Sequence, residues 1–339
     1  MKKEFTHLHL HTAYSISTGS INIPELVEHA KENRIESLAI TDHLNLFGVV
    51  KFYEKCISNH IKPIIGCEMP IKNPHKNERT NIILLCQDFS GYRNLLKLVS
   101  DAHINRQDIE KAEITLDQIT KYNQNLILLT GGRNGLLGKN LLSEKSNNLE
   151  TTIQKLCDIF QSRMYVQIER TGRAHEKEYN NRAILLAEKF KLPIVASNDV
   201  QFLLKDKFES HEIRVCINKK IKLEDRLNQN DFNENQYFQS QAEMEKLYSD
   251  LPDALENVSE IIKRCNFHLD TKTNQLPKFS TPSDISTEEH FNNVTQKGLE
   301  NILYNNPELN SETYHKRLKN EVNIISEMGF ISYFLIVQE

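Results

Sequence analysis

Three histidines alternate with leucines near the start of the chain, in the run Thr6-His7-Leu8-His9-Leu10-His11-Thr12. On a β-strand successive side chains take opposite faces, so His7, His9 and His11 would share one face and Leu8 and Leu10 the other. Three imidazoles within reach of one another form a donor set suited to Zn, Mn or Fe. Taken alone, the run reads equally well as a surface track on a polar edge strand. Other residues bear on the choice: Asp42-His43 follows the run Ser37–Thr41, Glu68 follows Lys62–Cys67, and Asn198-Asp199 follows Pro193–Ser197. In a βα barrel all strand C-termini open on one face, where histidines and carboxylates from four strand ends would converge. Singly, Asp42 and Asp199 could cap the helices after them, and Glu68 could pair with a lysine. The coincidence across four strand ends favours a shared cavity.

Little else competes for chemistry. The other histidines fall in helical or loop segments without ligand spacing. Gly131-Gly132 could offer backbone N–H groups to a phosphate, but with no Gly-x-x-x-x-Gly-Lys beside it a turn is the simpler reading. No Gly-x-Ser-x-Gly and no Cys/His pair marks a covalent nucleophile.

The elements that would carry these residues are short apolar runs alternating with helix-period stretches. Strands are expected at Phe5–Leu10, Ser37–Thr41, Lys62–Cys67, Asn81–Cys86, Leu126–Thr130, Met164–Ile168 and Pro193–Ser197. Most are continuously apolar, as parallel strands covered on both faces are. Helices are expected at Pro24–Asn33, Leu46–Asn59, Tyr92–Ile104, Leu149–Gln161 and Ala174–Lys191. Repeated βα units imply a parallel sheet with right-handed crossovers. About seven strands favour a closed barrel over a doubly wound open sheet. After Asp206 the pattern is helical, with stretches at Lys207–Asn218, Gln241–Leu251, Pro252–Cys265, Thr287–Tyr304 and Glu312–Met328. Asp270–Asp284 reads as a linker. The apolar final segment, Tyr333–Glu339, suggests a fragment of something longer.

Composition narrows the class. The 339 residues suggest about two domains. Lys+Arg 42 against Asp+Glu 46 gives a net charge of −4, which argues against a nonspecific nucleic-acid coat. A hydrophobic fraction of 39% with 26% charged residues supports a sizeable core. No apolar run reaches a membrane-span length of roughly 18 residues, and the N-terminus lacks the apolar region of a secretory signal. Six scattered cysteines without C-x-x-C suit a reducing cytosol and argue against a Cys-type zinc site.

The segments HLHLHTAYS, AITDHLNLFGVVKFYEKC, IKPIIGCE and ASNDVQF resemble the polymerase-and-histidinol-phosphatase (PHP) domain. GYRNLLKLVSDA, LILLTGGRNG, ERTGR, HEIRVCINKKIKLED and MGFISYFLIVQE follow in the order found in the family of bacterial replicative DNA polymerase III alpha subunits. The chain is similar to the N-terminal part of that family over essentially its whole length. The resemblance implies an α/β fold: a distorted (β/α)7 barrel over about 1–205, with a helical extension completing a PHP domain at 270. A linker over 271–285 and a truncated start of the polymerase core over 286–339 would follow. The polymerase aspartates would lie beyond Glu339, so template-directed DNA synthesis, its Mg and its DNA contacts belong to the full-length protein. A cytoplasmic location and a proofreading exonuclease subunit docked on the PHP domain are implied too, with no membrane partner.

Complete PHP sites hold up to three metals that hydrolyse phosphoesters. By motif, His9, His11, Glu68 and Asp199 stand at ligand positions here, with His43 and Asp42 beside them. The chain departs from the pattern at Asn81, Thr171 and Gln201, where histidines are expected, and at Gly132, where cysteine is expected. Thr18 also stands at a ligand position. Amides and hydroxyls bind transition metals more weakly than imidazole or thiolate, and glycine offers no side-chain ligand. The resemblance therefore implies one divalent metal (Zn, Mn or Mg) at most, with the second and third sites broken and the barrel acting as a scaffold. The alternative is an enzyme, with metal-dependent phosphoesterase or 3′–5′ exonuclease activity retained in the barrel. An independent sugar-phosphate phosphatase is disfavoured by the helical tail. Without a metal, Asp42, Glu68 or Asp199 should hydrogen-bond the histidines and leave an imidazolium, because buried unpaired charge is costly.

Overall fold

A computed structural model describes residues 4–16, 18–72, 79–105, 112–143, 149–226, 231–271, 279–281 and 285–338. Among them, six strands form one sheet in chain order: β1 (Ser37–Ile40), β2 (Lys62–Lys72), β3 (Arg79–Cys86), β4 (Leu126–Leu129), β5 (Met164–Glu169) and β6 (Ile194–Ser197). The pairs β1–β2, β4–β5 and β5–β6 are parallel. The expected all-parallel sheet is corrected at β3, which runs antiparallel to both neighbours. Length is the reason. With β2 extending to Lys72 and β3 starting at Arg79, too few residues remain for the dozen or more of a parallel crossover.

The expected first strand, Phe5–Leu10, narrows to a single parallel bridge between Leu10 and Val200. This short contact joins the two edges of the sheet. His11 N–H donates to Val200 O at 2.9 Å, Val200 N–H to His9 O at 3.0 Å, and Thr41 N–H to Leu10 O at 3.0 Å. The segment thereby links the end of β6 to the end of β1, and the six strands curl as in a barrel of βα type.

Alternation along the strands explains the core. Leu38, Ile40, Leu84, Leu126 and Leu128 pack with the helix residues Phe52, Leu95 and Leu98 in one buried cluster. The intervening residues Ala39, Ile64, Ile83, Leu85, Ile127 and Leu129 belong to a second. Both faces are covered, which is why β1 and β4 read as unbroken apolar runs. Helices Ile23–Glu32, Val49–Ser58, Phe89–Ile104, Leu149–Phe160 and Glu176–Phe190 form the covering layer. Pro24 stands in the first turn of the first of these, where its missing N–H costs nothing. Helix Pro252–Arg264 buries Val258 and Ile261, and Asn257 Nδ2 donates to Ile194 O of β6 at 2.8 Å.

The chain divides into two compact units, Met1–Leu269 and Asp270–Glu339. The expected linker lies largely outside the described residues. In the second unit, helices Thr287–Asn305 and Ser311–Glu327 are capped by Ser286 and Asn310, and Ile331–Gln338 follows. No helix among the described residues is long and apolar enough to cross a membrane.

Candidate functional site

A pocket of about 210 Å³ opens at one end of the sheet, and His9, His11, His43, Glu68, Asn81, Glu169, Asp199 and Gln201 line it. His9 and His11 flank Leu10, the residue that bridges to Val200. Glu68 follows Ile64 and Gly66 on one face of β2. Pro70 pairs with Asn81, which puts Asn81 diagonally across the ladder from Glu68. Because β3 is antiparallel, it brings its beginning and not its end to the pocket. Asp199 has a left-handed backbone, φ 49°, a conformation Asp tolerates better than most residues. The turn places its carboxylate in the pocket and returns Val200 to the N-terminal segment.

Four side chains converge. His9 Nε2 and His11 Nε2 are 3.1 Å apart. Glu68 Oε1 lies 3.7 Å from His9 Nε2, and its Oε2 lies 4.0 Å from His11 Nε2. Asp199 Oδ1 lies 3.7 Å from His9 Nε2 and 3.6 Å from His11 Nε2. His43 joins through its Nδ1, 2.7 Å from Glu68 Oε2. Asp42 is buried nearby but faces another set of partners. It accepts from Thr12 N–H at 2.7 Å, Thr12 Oγ1 at 2.6 Å and Ser15 Oγ at 2.6 Å, not from a histidine.

His7 departs from the expected shared face. The residues before Leu10 are not paired as a strand, so period-two alternation does not govern them. Its Nε2 donates to Gln239 O at 2.7 Å, and its ring packs against Phe5 and Phe238. Burial outweighs that hydrogen bond and pushes its pKa down to about 4. His7 is a neutral core histidine.

The positions expected to depart from a complete ligand set are built into the surrounding network. Asn81 Nδ2 donates to Glu68 Oε1 at 2.9 Å, and Gln201 Nε2 to Asp199 Oδ1 at 2.6 Å. Thr171 Oγ1 donates to Glu176 at 2.7 Å and accepts from Arg173 Nε at 3.0 Å. Gly132 has φ 61°, and a Cβ there would lie 2.3 Å from Glu169 Oε1. Thr18 lines the pocket.

Sequence reasoning missed Glu169, Arg173, Gln167 and Gln236. Arg173 donates to Glu169 Oε2 at 2.5 Å and to Asp199 Oδ2 at 2.8 Å. Gln236 Nε2 donates to Asp199 Oδ2 at 2.9 Å, and Gln167 Nε2 reaches Glu169 Oε1 at 2.9 Å. A signal existed for the first two. Glu169 ends β5, so the rule that singled out acids at strand ends applies to it, and Arg173 stands four residues on. The two glutamines carry no such mark.

Charges set the protonation of the site. Burial disfavours charge on His9, but Asp199, Glu68 and Glu169 outweigh it and raise its pKa to about 9. His11 is lowered by burial and by the charge of His9, against the pull of Glu68. Burial works against ionisation of Glu68, yet His43 and His9 hold it well below the usual carboxylate range. Asp199 is likewise lowered despite burial, by His9 and Arg173. Glu169 is raised by burial, against Arg173.

The donors of His9, His11 and Glu68 are grouped as a divalent metal needs, with one ligand atom from each within 4.8 Å of the others. Bonds of about 2.0–2.1 Å to a tetrahedral ion put its ligands roughly 3.3–3.5 Å apart, close to the spacings found here. Gln201 Oε1 in the same lining is a buried acceptor with no donor among the described residues, as expected beside a place for an ion or a water. The residues fit one ion.

Residues 7–171 match the PHP domain family, and 289–339 match the family described as bacterial DNA polymerase III alpha NTPase domain. The chain is 34% identical over 348 residues to DNA polymerase III subunit alpha of Pseudomonas fluorescens, covering 100% of this chain and 30% of that protein. It is 36% identical over 342 residues to the subunits of Haemophilus influenzae and Escherichia coli, covering 99% of this chain and 29% of each. The chain thus spans about 30% of the length of the curated relatives it matches. Among solved structures, a putative metal-dependent phosphoesterase from Bifidobacterium adolescentis aligns at a TM-score of 0.39 and 13% identity, over 58% of this chain and 87% of that one. An amidohydrolase from Chromobacterium violaceum aligns at 0.38 and 13%, over 62% and 96%.

Proposed function

We propose, for a chain that contains a PHP domain and is homologous along its length to the N-terminal region of DNA polymerase III subunit alpha, that the barrel is a structural module of a replicative polymerase and not an efficient hydrolase. One observation carries this reading. The carboxylate oxygens that would bridge to further ions already accept hydrogen bonds, Glu68 Oε1 from Asn81 and Asp199 Oδ2 from Arg173 and Gln236. Hydrolysis by a metal cluster needs bridging carboxylates and further strong ligands beside them.

His9, His11, Glu68 and Asp199 would hold a single divalent ion (Zn, Mn or Mg), with His43 orienting Glu68. Such an ion supplies Lewis acidity toward a phosphate oxygen. Of the chain's own residues, His9 would give up the proton at Nε2 that the empty pocket favours in order to bind the ion, and Ser15 and Asp42 fix His11. On this reading residues 1–270 form the PHP domain, 271–285 a linker and 286–339 the beginning of the polymerase core. The full-length protein copies DNA in the cytoplasm with Mg, and the PHP domain docks the proofreading exonuclease subunit.

The test uses this chain with Zn(II) or Mn(II) restored after chelation. It should take up no more than one ion per chain, and neither p-nitrophenyl phosphate nor a DNA 3′ end should be hydrolysed above background. A pull-down should retain the cognate exonuclease subunit. The convergence of four donors favours the second reading, a retained phosphoesterase or exonuclease activity. Turnover that His9→Ala abolishes would establish that reading and overturn the first. Failure to retain the exonuclease subunit would remove the partner assignment alone.

A further inference from the structure

The pocket has two chemically distinct halves. One holds the imidazoles. Behind the other, which Glu169 and Asp199 line, the Arg173 side chain, 1% exposed, is ringed by oxygens. Nη2 meets Glu169 Oε2 at 2.5 Å, and Nη1 meets Asp199 Oδ2 at 2.8 Å and Asp231 O at 3.4 Å. Nε meets Thr171 Oγ1 at 3.0 Å and stands 3.7 Å from Glu176 Oε1. Carboxylates, a hydroxyl and a carbonyl are the ligands that hard divalent ions such as Mg, Ca or Mn take. Here a guanidinium occupies their midst.

A cation in that position lets the crowded carboxylates ionise together. Buried carboxylates this close cannot all ionise without positive charge between them. Arg173 supplies it from a fixed mount: Glu176 accepts from Thr171 Oγ1 at 2.7 Å and from Gly172 N–H at 2.6 Å, pinning the turn that precedes the arginine. Gly132 completes the enclosure, because any side chain there would run into the Glu169 carboxylate.

We infer that Arg173 closes the Glu169–Asp199 half of the pocket to metal, its guanidinium acting as a tethered cation that neutralises the carboxylates in place of a second ion. Missing ligands are then only part of why the site is limited to one ion. The larger obstacle is a charge already in place, held by the chain itself. This holds whether the remaining half is inert or retains hydrolysis, so it does not depend on the scaffold reading.

The experiment compares the parent chain with Arg173→Ala and Arg173→Lys by thermal melting in EDTA and in MnCl2, and counts bound Mn(II) by electron paramagnetic resonance. Arg173→Ala should melt lower than the parent in EDTA. At a hundredfold excess of Mn(II) over its dissociation constant it should recover roughly 4–5 °C more than the parent gains, with one more ion bound per chain. Arg173→Lys keeps the charge and should bind no more Mn(II) than the parent. An Arg173→Ala chain that binds no additional Mn(II), or whose loss of fold Mn(II) does not reverse, overturns the inference. Phosphatase turnover in the parent would count against the scaffold reading while leaving this one standing.

Discussion

Ser15 donates its hydroxyl proton to Asp42 Oδ1 at 2.6 Å, and that bond fixes the histidine beside it. With its proton committed, Ser15 Oγ can only accept, and it does so from His43 N–H at 3.0 Å and from His11 Nδ1 at 3.0 Å. His11 therefore carries its proton on Nδ1 and turns a bare Nε2 toward His9, Glu68 and Asp199. Outer hydrogen bonds of this kind set the orientation and basicity of a ligand histidine. Ser15→Ala should lower the affinity for Zn(II) by roughly 10–100-fold and the stability by about 1–2 kcal/mol. Competition with a chelating dye and urea unfolding measure the two, and an unchanged Zn(II) affinity would show that Ser15 does not position His11.

His9 ties stability to alkaline pH. Burial opposes its charge, but the surrounding carboxylates hold its pKa at about 9 against an ordinary 6.5. The folded chain keeps a proton that the unfolded chain releases between those values. The contribution is complete below pH 6.5 and lost as pH rises through about 9, an overall change of about 3 kcal/mol. In EDTA, the stability gap between the parent and His9→Gln should narrow by that amount from pH 6 to pH 9.5. A constant gap would mean that His9 is not held as an imidazolium.

His7, two residues earlier, has the opposite sign. Burial pushes its pKa down to about 4 from 6.5, so over that interval the unfolded chain binds a proton that the folded chain refuses. Stability falls as pH drops from 6.5 toward 4, by up to about 3 kcal/mol from this group. His7→Phe removes the titration. Its stability relative to the parent should rise on acidification, and parallel stability curves for the two chains would contradict the assignment.

Gly132→Ala should destabilise by about 2–4 kcal/mol, since it adds a Cβ to a left-handed backbone and drives it against the Glu169 carboxylate. Differential scanning calorimetry would register the loss, and an unchanged melting temperature would mean that the Glu169 side chain moves aside freely. The same clash predicts that Gly132→Cys fails to rebuild a ligand set while Glu169 stays in place.

Much of this molecule is legible in its sequence, for identifiable reasons. Apolar runs such as Leu126–Leu129 locate strands because both faces are covered, and acids just past the apolar runs locate the pocket because the sheet curls, Asp199 beyond the end of β6 and Glu68 within β2, which continues to Lys72. What escaped is what periodicity does not encode. The direction of β3 depends on how far β2 continues past Cys67. His7 was placed by a strand rule, whereas its backbone is unpaired and its ring fills an aromatic gap. Arg173 lies in a turn, and nothing local reveals that it reaches back to Glu169 and across to Asp199. Gln236 approaches from a segment beyond β6 that no pattern ties to the pocket.

The bridge of Leu10 to Val200 has a consequence for how the chain is made. A ribosome releases His9 and His11 long before the partner that seats them, Val200, exists. Closing so large a loop is entropically costly, and contacts this distant form late. Until Val200 has emerged, the two histidines stay outside any closed ring and can be captured by free zinc or by other nascent segments. Pausing of translation before that point would therefore lengthen the exposure and change how much of the newborn protein matures correctly, while pausing just past it would give the ring time to close.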